Sequence, residues 1–220
     1  MNFISKTITV AGFATLSVAA NATITPIGQF TGALSESFES FQNYLVNPLF
    51  YEPEPFVVMG GAASFVSSVQ LLTIWEPSDF ATWGLIDSGS AVPADGLKGM
   101  GLDTTGENWT LTFASDQNDF GAFWGVSTEG APGTATVEFF DATNTLVGST
   151  SFSYDHETNA DGILDWNGWN SDIAFRSVRV SGNYVAIDAM QAGSAVPEPA
   201  TMSVLALGAL AMLRRRKTAK

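Results

Sequence analysis

Between residues 23 and 196 apolar and polar positions alternate with a period of two, and no apolar stripe there sustains the helical period of 3.6. The clearest unit is a hairpin. Ala135, Val137 and Phe139 alternate with Thr136, Glu138 and Phe140, Asp141-Ala142-Thr143-Asn144 supplies a turn, and Leu146-Val147 and Ser151-Phe152-Ser153-Tyr154 return. Trp109, Leu111 and Phe113 share one face of a strand over 108–114, and the aromatic run 120–126 reads as a separate strand buried on both faces. Weaker strands are predicted over 36–45, where Phe38, Ser40 and Gln42 alternate with Glu39, Phe41 and Asn43, and over 96–103. Two more fall within 56–74, on either side of Gly60-Gly61, and residues 75–94 are loop-rich. After a polar loop over 155–172, the segments 173–180 and 184–190 flank Ser181-Gly182-Asn183 and predict a second hairpin. Roughly eight to ten short strands with glycine-rich turns make this an all-β chain, expected to form an antiparallel β-sandwich of jelly-roll-like winding.

The two ends break the pattern. Lys6, the apolar run 8–18 and Ala20-Asn21-Ala22 have the layout of a signal peptide covering residues 1–22, with cleavage before Thr23 or, alternatively, after Ala20. At the other end Val196-Pro197-Glu198-Pro199 precedes an uncharged run, 202–213, and then Arg214-Arg215-Arg216-Lys217. The prolines hold the motif extended and open to an enzyme, while the basic cluster resists translocation. Residues 200–213 would give roughly 21 Å of helix against a hydrocarbon core of ~30 Å. Such a marginal transmembrane helix suits a transient anchor, and a permanent single span, with the arginines snorkelling, is the rival reading.

This order of motif, apolar run and arginine cluster resembles the PEP-CTERM sorting signal of Gram-negative bacteria over residues 196–217, within a C-terminal segment 196–220. The resemblance implies export through the Sec machinery, brief residence in the inner membrane and processing by exosortase. It implies a destination at the cell surface or in the extracellular matrix, in systems linked to exopolysaccharide and biofilm. Residues 23–195 are then the passenger domain.

Charge narrows the passenger's partners. Once the end signals are set aside, only Lys98, Arg176 and Arg179 face 21 carboxylates (all 22 less Glu198), so the domain carries about −18. That field repels phosphate backbones, which excludes nucleic acid, and attracts cations such as Ca²⁺. The chain has no cysteine, so disulfides, thiol catalysis and cysteine-bound metals are excluded.

The passenger is also similar to jelly-roll modules related to carbohydrate-binding domains, through Phe38-Glu39, Val137-Glu138-Phe139-Phe140-Asp141 and Val185-Ala186-Ile187-Asp188. That likeness implies a structural Ca²⁺ shared by a carboxylate of the first strand, Glu39, and one of the last, Asp188. A second calcium candidate is Glu157, Asn159 and Asp161 followed by Gly162, spaced like the first half of an EF-hand loop. It lacks the closing bidentate glutamate, since Gly168 stands at that position. Trp166 and Trp169 are expected to pack over the sandwich edge or, if exposed, to form a platform for sugar rings. Catalysis has little to stand on. His156 is the sole histidine, Gly-x-Ser-x-Gly is absent, and with 21 carboxylates spacing singles out no glycosidase pair. The expected function is structural or adhesive and non-enzymatic. A calcium-stabilised module binding extracellular polysaccharide is the alternative, and a glycoside hydrolase comes third.

Overall fold

The computed structural model describes residues 21–41, 55–69, 72–76, 93–102, 106–126, 133–154 and 164–193. Residues 1–20 of the expected signal peptide, the expected sorting signal with its apolar run, and the segment carrying His156, Glu157, Asn159 and Asp161 lie outside the described residues. The strands are β1 (Ile24–Ile27), β2 (Leu34–Glu36), β3 (Phe56–Val58), β4 (Ala63–Ser67), β5 (Leu72–Trp75), β6 (Gly99–Leu102), β7 (Glu107–Val126), β8 (Gly133–Phe140), β9 (Leu146–Tyr154), β10 (Asp165–Gly182) and β11 (Val185–Gly193). All pairings are antiparallel. Among the described residues no helix is long and apolar enough to cross a membrane.

Two strands are far longer than the rest, and each serves both layers of a sandwich. The first arm of β7 lies between β4 and the last arm of β10, which continues outward through β8 to β9. Its second arm lies between the first arm of β10 and β11, and that layer is completed by β1 on β10 and by β5-β6 and β2 on the far edge of β11. Both long strands fold over where their mutual register slips, between Asn170 and Ser177 of β10. Gln117 is buried at the fold-over, opposite Phe175, and its amide donates to the Ser115 carbonyl at 3.0 Å.

Folding over brings the two arms of β7 face to face. Trp109, Leu111 and Phe113 of one meet Phe120, Ala122 and Trp124 of the other, all of them buried. Trp109 and Trp124 stack with centroids 5.9 Å apart and planes 5° from parallel, and Phe113 meets Phe120 edge-on at 6.2 Å. Phe139 and Phe152 from the first layer close on Trp169 from the second. Period-two alternation puts every second residue of each arm into this space, which is why the core is so aromatic.

The hairpin of β8 and β9 forms as its alternation predicts. Its turn is fastened by Asp141, whose carboxylate accepts the N–H groups of Thr143 and Thr145; the Thr145 bond is the main cause holding that carboxyl below its usual range.

Four expectations need correction. The segments 108–114 and 120–126 are one strand, because the polar residues 115–119 carry it over from one layer to the other and do not form a loop. The second hairpin does not form: the last arm of β10 pairs with the first arm of β7 in one layer, whereas β11 pairs with the second arm of β7 in the other. The supposed loop 155–172 gives way to strand from Asp165 onward. Finally, of the described part of the strand expected over 36–45 only Glu36 is strand, the end of β2, because Phe38 turns the chain with φ of 61° and leaves Glu39 in a turn.

Candidate functional site

The passenger's polar irregularities gather where β2, β11 and the segment 93–98 meet. β11 carries a bulge between Asp188 and Gln191, opposite Phe123 and Gly121 of β7, and inside it Ala189 takes φ of 46°. Such a bulge re-aims side chains that would otherwise alternate. Beside it β2 pairs Glu36 with Met190, and the Glu36 carboxylate accepts the N–H groups of Phe38 (3.0 Å) and Met59 (2.7 Å). Phe38 and Met59, like Ala189, have positive φ without being glycine. Strained backbone of this kind persists only where its surroundings hold it, and it clusters at functional sites.

Asp188 is fully buried. One carboxylate oxygen, Oδ2, accepts the Asp95 N–H at 2.8 Å, while Oδ1 has no hydrogen-bond partner. Burial, outweighing the backbone donors of Asp95, Ala189 and Ala94, pushes its pKa up to about 7. A polar cleft of about 170 Å³ adjoins this residue, lined by Ser35, Glu36, Ser37, Asp95, Ala189 and Gln191.

Glu39 meets the same segment from the other side. Its Oε1 accepts the N–H groups of Leu97 (2.7 Å) and Lys98 (2.6 Å), and Lys98 Nζ donates to the carbonyls of Glu39 and Phe41. Gly96, with φ of 72°, leaves room for that carboxylate: a Cβ there would sit 2.4 Å from Glu39 Oε1. Asp188 and Glu39 therefore hold opposite halves of one loop. It is Glu36 and Asp95, not Glu39, that share the cleft beside Asp188. Sequence reasoning passed over both, although Pro93-Ala94-Asp95-Gly96 is a recognisable turn signature.

These residues suit a hard cation in kind. An orphaned carboxylate oxygen, two further carboxylates, serine hydroxyls and a glutamine amide supply the oxygen chemistry that Ca²⁺ takes six to eight times over. Among the described residues no three acidic or histidine side chains converge on one point, so backbone and hydroxyl oxygens would have to complete the shell.

The tryptophans do not form a joint platform. Three residues apart on β10, they project to opposite faces of their layer. Trp169 is buried in the core at 3% exposure. Trp166 is half-buried on the outer face, where Phe30 and Phe123 meet its ring edge-on and its Nε1 donates to the Ile27 carbonyl. A small cluster of Trp75, Leu164 and Ala186 lies on the same outer side, with Phe123 packed against it.

The last strand ends at Gly193, and from residue 195 to 217 the sequence matches the PEP-CTERM protein-sorting motif. The chain carries a PEP-CTERM sorting domain. No curated protein matches the sequence. Among solved structures the passenger is similar to the lectin domain of lectinolysin complexed with Lewis B antigen (9% identity, TM-score 0.33, covering 44% of this chain and 72% of that one). It is also similar to CsCBM6-3 from Clostridium stercorarium in complex with cellobiose (13%, 0.31, 56% and 94%). A third is TmCBM61 in complex with β-1,4-galactotriose (13%, 0.32, 70% and 99%). All three likenesses are distant.

Proposed function

We propose that this chain is a non-enzymatic protein of the bacterial envelope or extracellular matrix, released from the inner membrane by exosortase and serving a structural or adhesive role among exopolysaccharides. The observation that carries the reading is the PEP-CTERM motif, only a residue beyond the end of β11. The sandwich, of jelly-roll-like winding, is the cargo. Replacing Glu198 and both flanking prolines with alanine removes the acidic recognition motif and leaves the apolar run and basic tail intact. In an exosortase-bearing host, the variant is expected to stay in the membrane fraction at precursor size while the parent chain is processed. Equal processing of the two would sink the reading.

A bound Ca²⁺ belongs to the same proposal, as a support for the β2–β11 junction. Asp188 and Glu36, with hydroxyl, amide and backbone oxygens of Ser35, Ser37, Ala189 and Gln191, are the groups that would hold it, and its chemistry there is neutralisation of a buried carboxylate. A ligand that binds only the folded state adds about 2.7 kcal/mol at a hundredfold excess over Kd. Millimolar Ca²⁺ is therefore expected to raise the unfolding midpoint of the parent domain and to leave that of Asp188→Ala unmoved. A Glu39→Ala variant, which loses the bonds to Leu97 and Lys98, should melt lower while still responding to the ion. A parent midpoint indifferent to Ca²⁺ and chelator would remove the cation from the proposal.

A further inference from the structure

A strand at the end of a sheet presents a row of unpaired N–H and C=O groups, and folded proteins keep such edges short or guard them with charge or proline. Among the described residues β1, β2, β3, β5 and β9 each have a free edge, and all but one follow that rule. β2 and β3 are three residues long, β5 is four, and β1 has four with Pro26 among them. β9 breaks it. It runs for nine residues and pairs with β8 on one side only, and residues 142–154 hold neither a charge nor a proline. Only its start is closed. The Ala22 N–H donates to the Val147 carbonyl, and Gly148 lies so near β1 that a Cβ there would be 2.8 Å from Ile24 Cγ1. From Ser149 to Tyr154 no strand among the described residues pairs with the outer edge.

The surface beside this edge is neutral. Alternation buries Phe152 and Tyr154 and exposes Ser149, Ser151 and Ser153. In the ladder these serines stand opposite Glu138, Thr136 and Thr134 of β8, and Glu138 is held by Arg179 Nε at 2.8 Å. With about −18 on the domain, two copies repel over most of their surface, but charges more than about 8 Å away are largely screened at physiological salt. At this edge the local repulsion is absent. An antiparallel edge also fits its own copy, because its backbone groups are self-complementary across a two-fold axis. Opposed residues must point to the same face, so the axis falls on a residue and not between two. Centred on Ser151, it sets Ser149 opposite Ser153 and Thr150 opposite Phe152, with no charge against any of them.

We propose that two copies of this chain join along β9, antiparallel and centred on Ser151, so that their first layers form one continuous sheet. The contact is independent of exosortase processing. The chain has no cysteine, so Ser151→Cys introduces a single thiol. Across the axis the two Cα atoms would lie roughly 4.5–5.5 Å apart, inside the span that a disulfide bridges. The full-length variant, purified in detergent and treated with oxidised glutathione, is expected to run as a dimer on a non-reducing gel, two thiols closing one S–S bond as the glutathione is reduced. Thr143→Cys, in the exposed turn before β9, is expected to stay monomeric under the same conditions. Sedimentation of the parent chain should show a dimer that dissociates on dilution. Ser151→Glu and Ser151→Lys, each folded by circular dichroism because that side chain is exposed, should be monomers. Their equimolar mixture should restore the dimer, since opposite charges then meet across the axis. A parent chain that stays monomeric overturns the proposal, and so does a dimer that survives Ser151→Glu, as one held by the apolar tail would. A Ser151→Cys thiol that a small maleimide cannot reach in the monomer would mean that another segment of the chain covers the edge, and it too sinks the proposal.

Discussion

Replacing Trp124 with alanine is expected to lower the unfolding midpoint of the passenger by roughly 6–20 °C. The range follows from about 3–5 kcal/mol for emptying a buried aromatic site and about 2–4 °C per kcal/mol in a domain of this size. Trp124 is only 1% exposed and touches Trp109, Phe120, Phe152 and Trp169, so its ring is shared by both arms of β7, by β9 and by β10. Its indole N–H also donates to the Asn167 carbonyl at 2.9 Å, an acceptor left without that donor in the variant. Circular dichroism melts of the parent, Trp124→Ala and Trp166→Ala decide the matter. Trp166, half-buried on the outer face, should cost clearly less. Equal losses at both positions would contradict the placement of the core between the layers.

A second large effect is expected with pH. Asp188 has its pKa pushed up to about 7, against 3.8 for a free aspartate. Below pH 3.8 it is protonated in both folded and unfolded chains and makes no difference. As pH rises toward 7 the unfolded chain releases this proton while the folded one keeps it, so stability falls by about 1.4 kcal/mol per pH unit. Above about pH 7 the loss is complete, on the order of 4 kcal/mol. Asp188→Asn removes the titration while keeping an oxygen for the Asp95 N–H. Urea titrations from pH 4 to 8 should show the gap between variant and parent moving in the variant's favour as pH rises. A constant gap would mean that Asp188 is not held as described. A cation that neutralises the carboxylate should restore the parent at pH 8 and do much less at pH 5.

Much of this fold can be read from side-chain alternation, and what cannot has a common cause. The β8–β9 hairpin is legible because its turn, from Asp141 onward, is closed by contacts a few residues apart. The long strands are not legible, because a polar stretch such as 115–119 looks the same whether it turns a chain or carries it over from one layer to the other. The difference lies in partners distant in sequence. For the same reason Ser181-Gly182-Asn183 looks like a hairpin turn yet links two strands that never pair. At the candidate site, Asp188 can be found from its place on the last strand. Glu36 and Asp95 cannot, since only the backbone turn at Phe38 and the bulge at Ala189 bring them to it. Trp169 shows the opposite failure: its chemistry suggests sugar stacking, and its burial in the core removes it.

β11 has neighbours along both edges, β7 on one side and β2 and β6 on the other, and the sorting motif follows almost at once. Any pull on the tail, whether from a membrane anchor or from attached matrix, therefore enters the molecule through an interior strand. Such a load acts along the ladders and must shear many hydrogen bonds together, whereas a load on an edge strand could peel them one at a time. The strand that takes that load is one hydrogen-bonded along both edges.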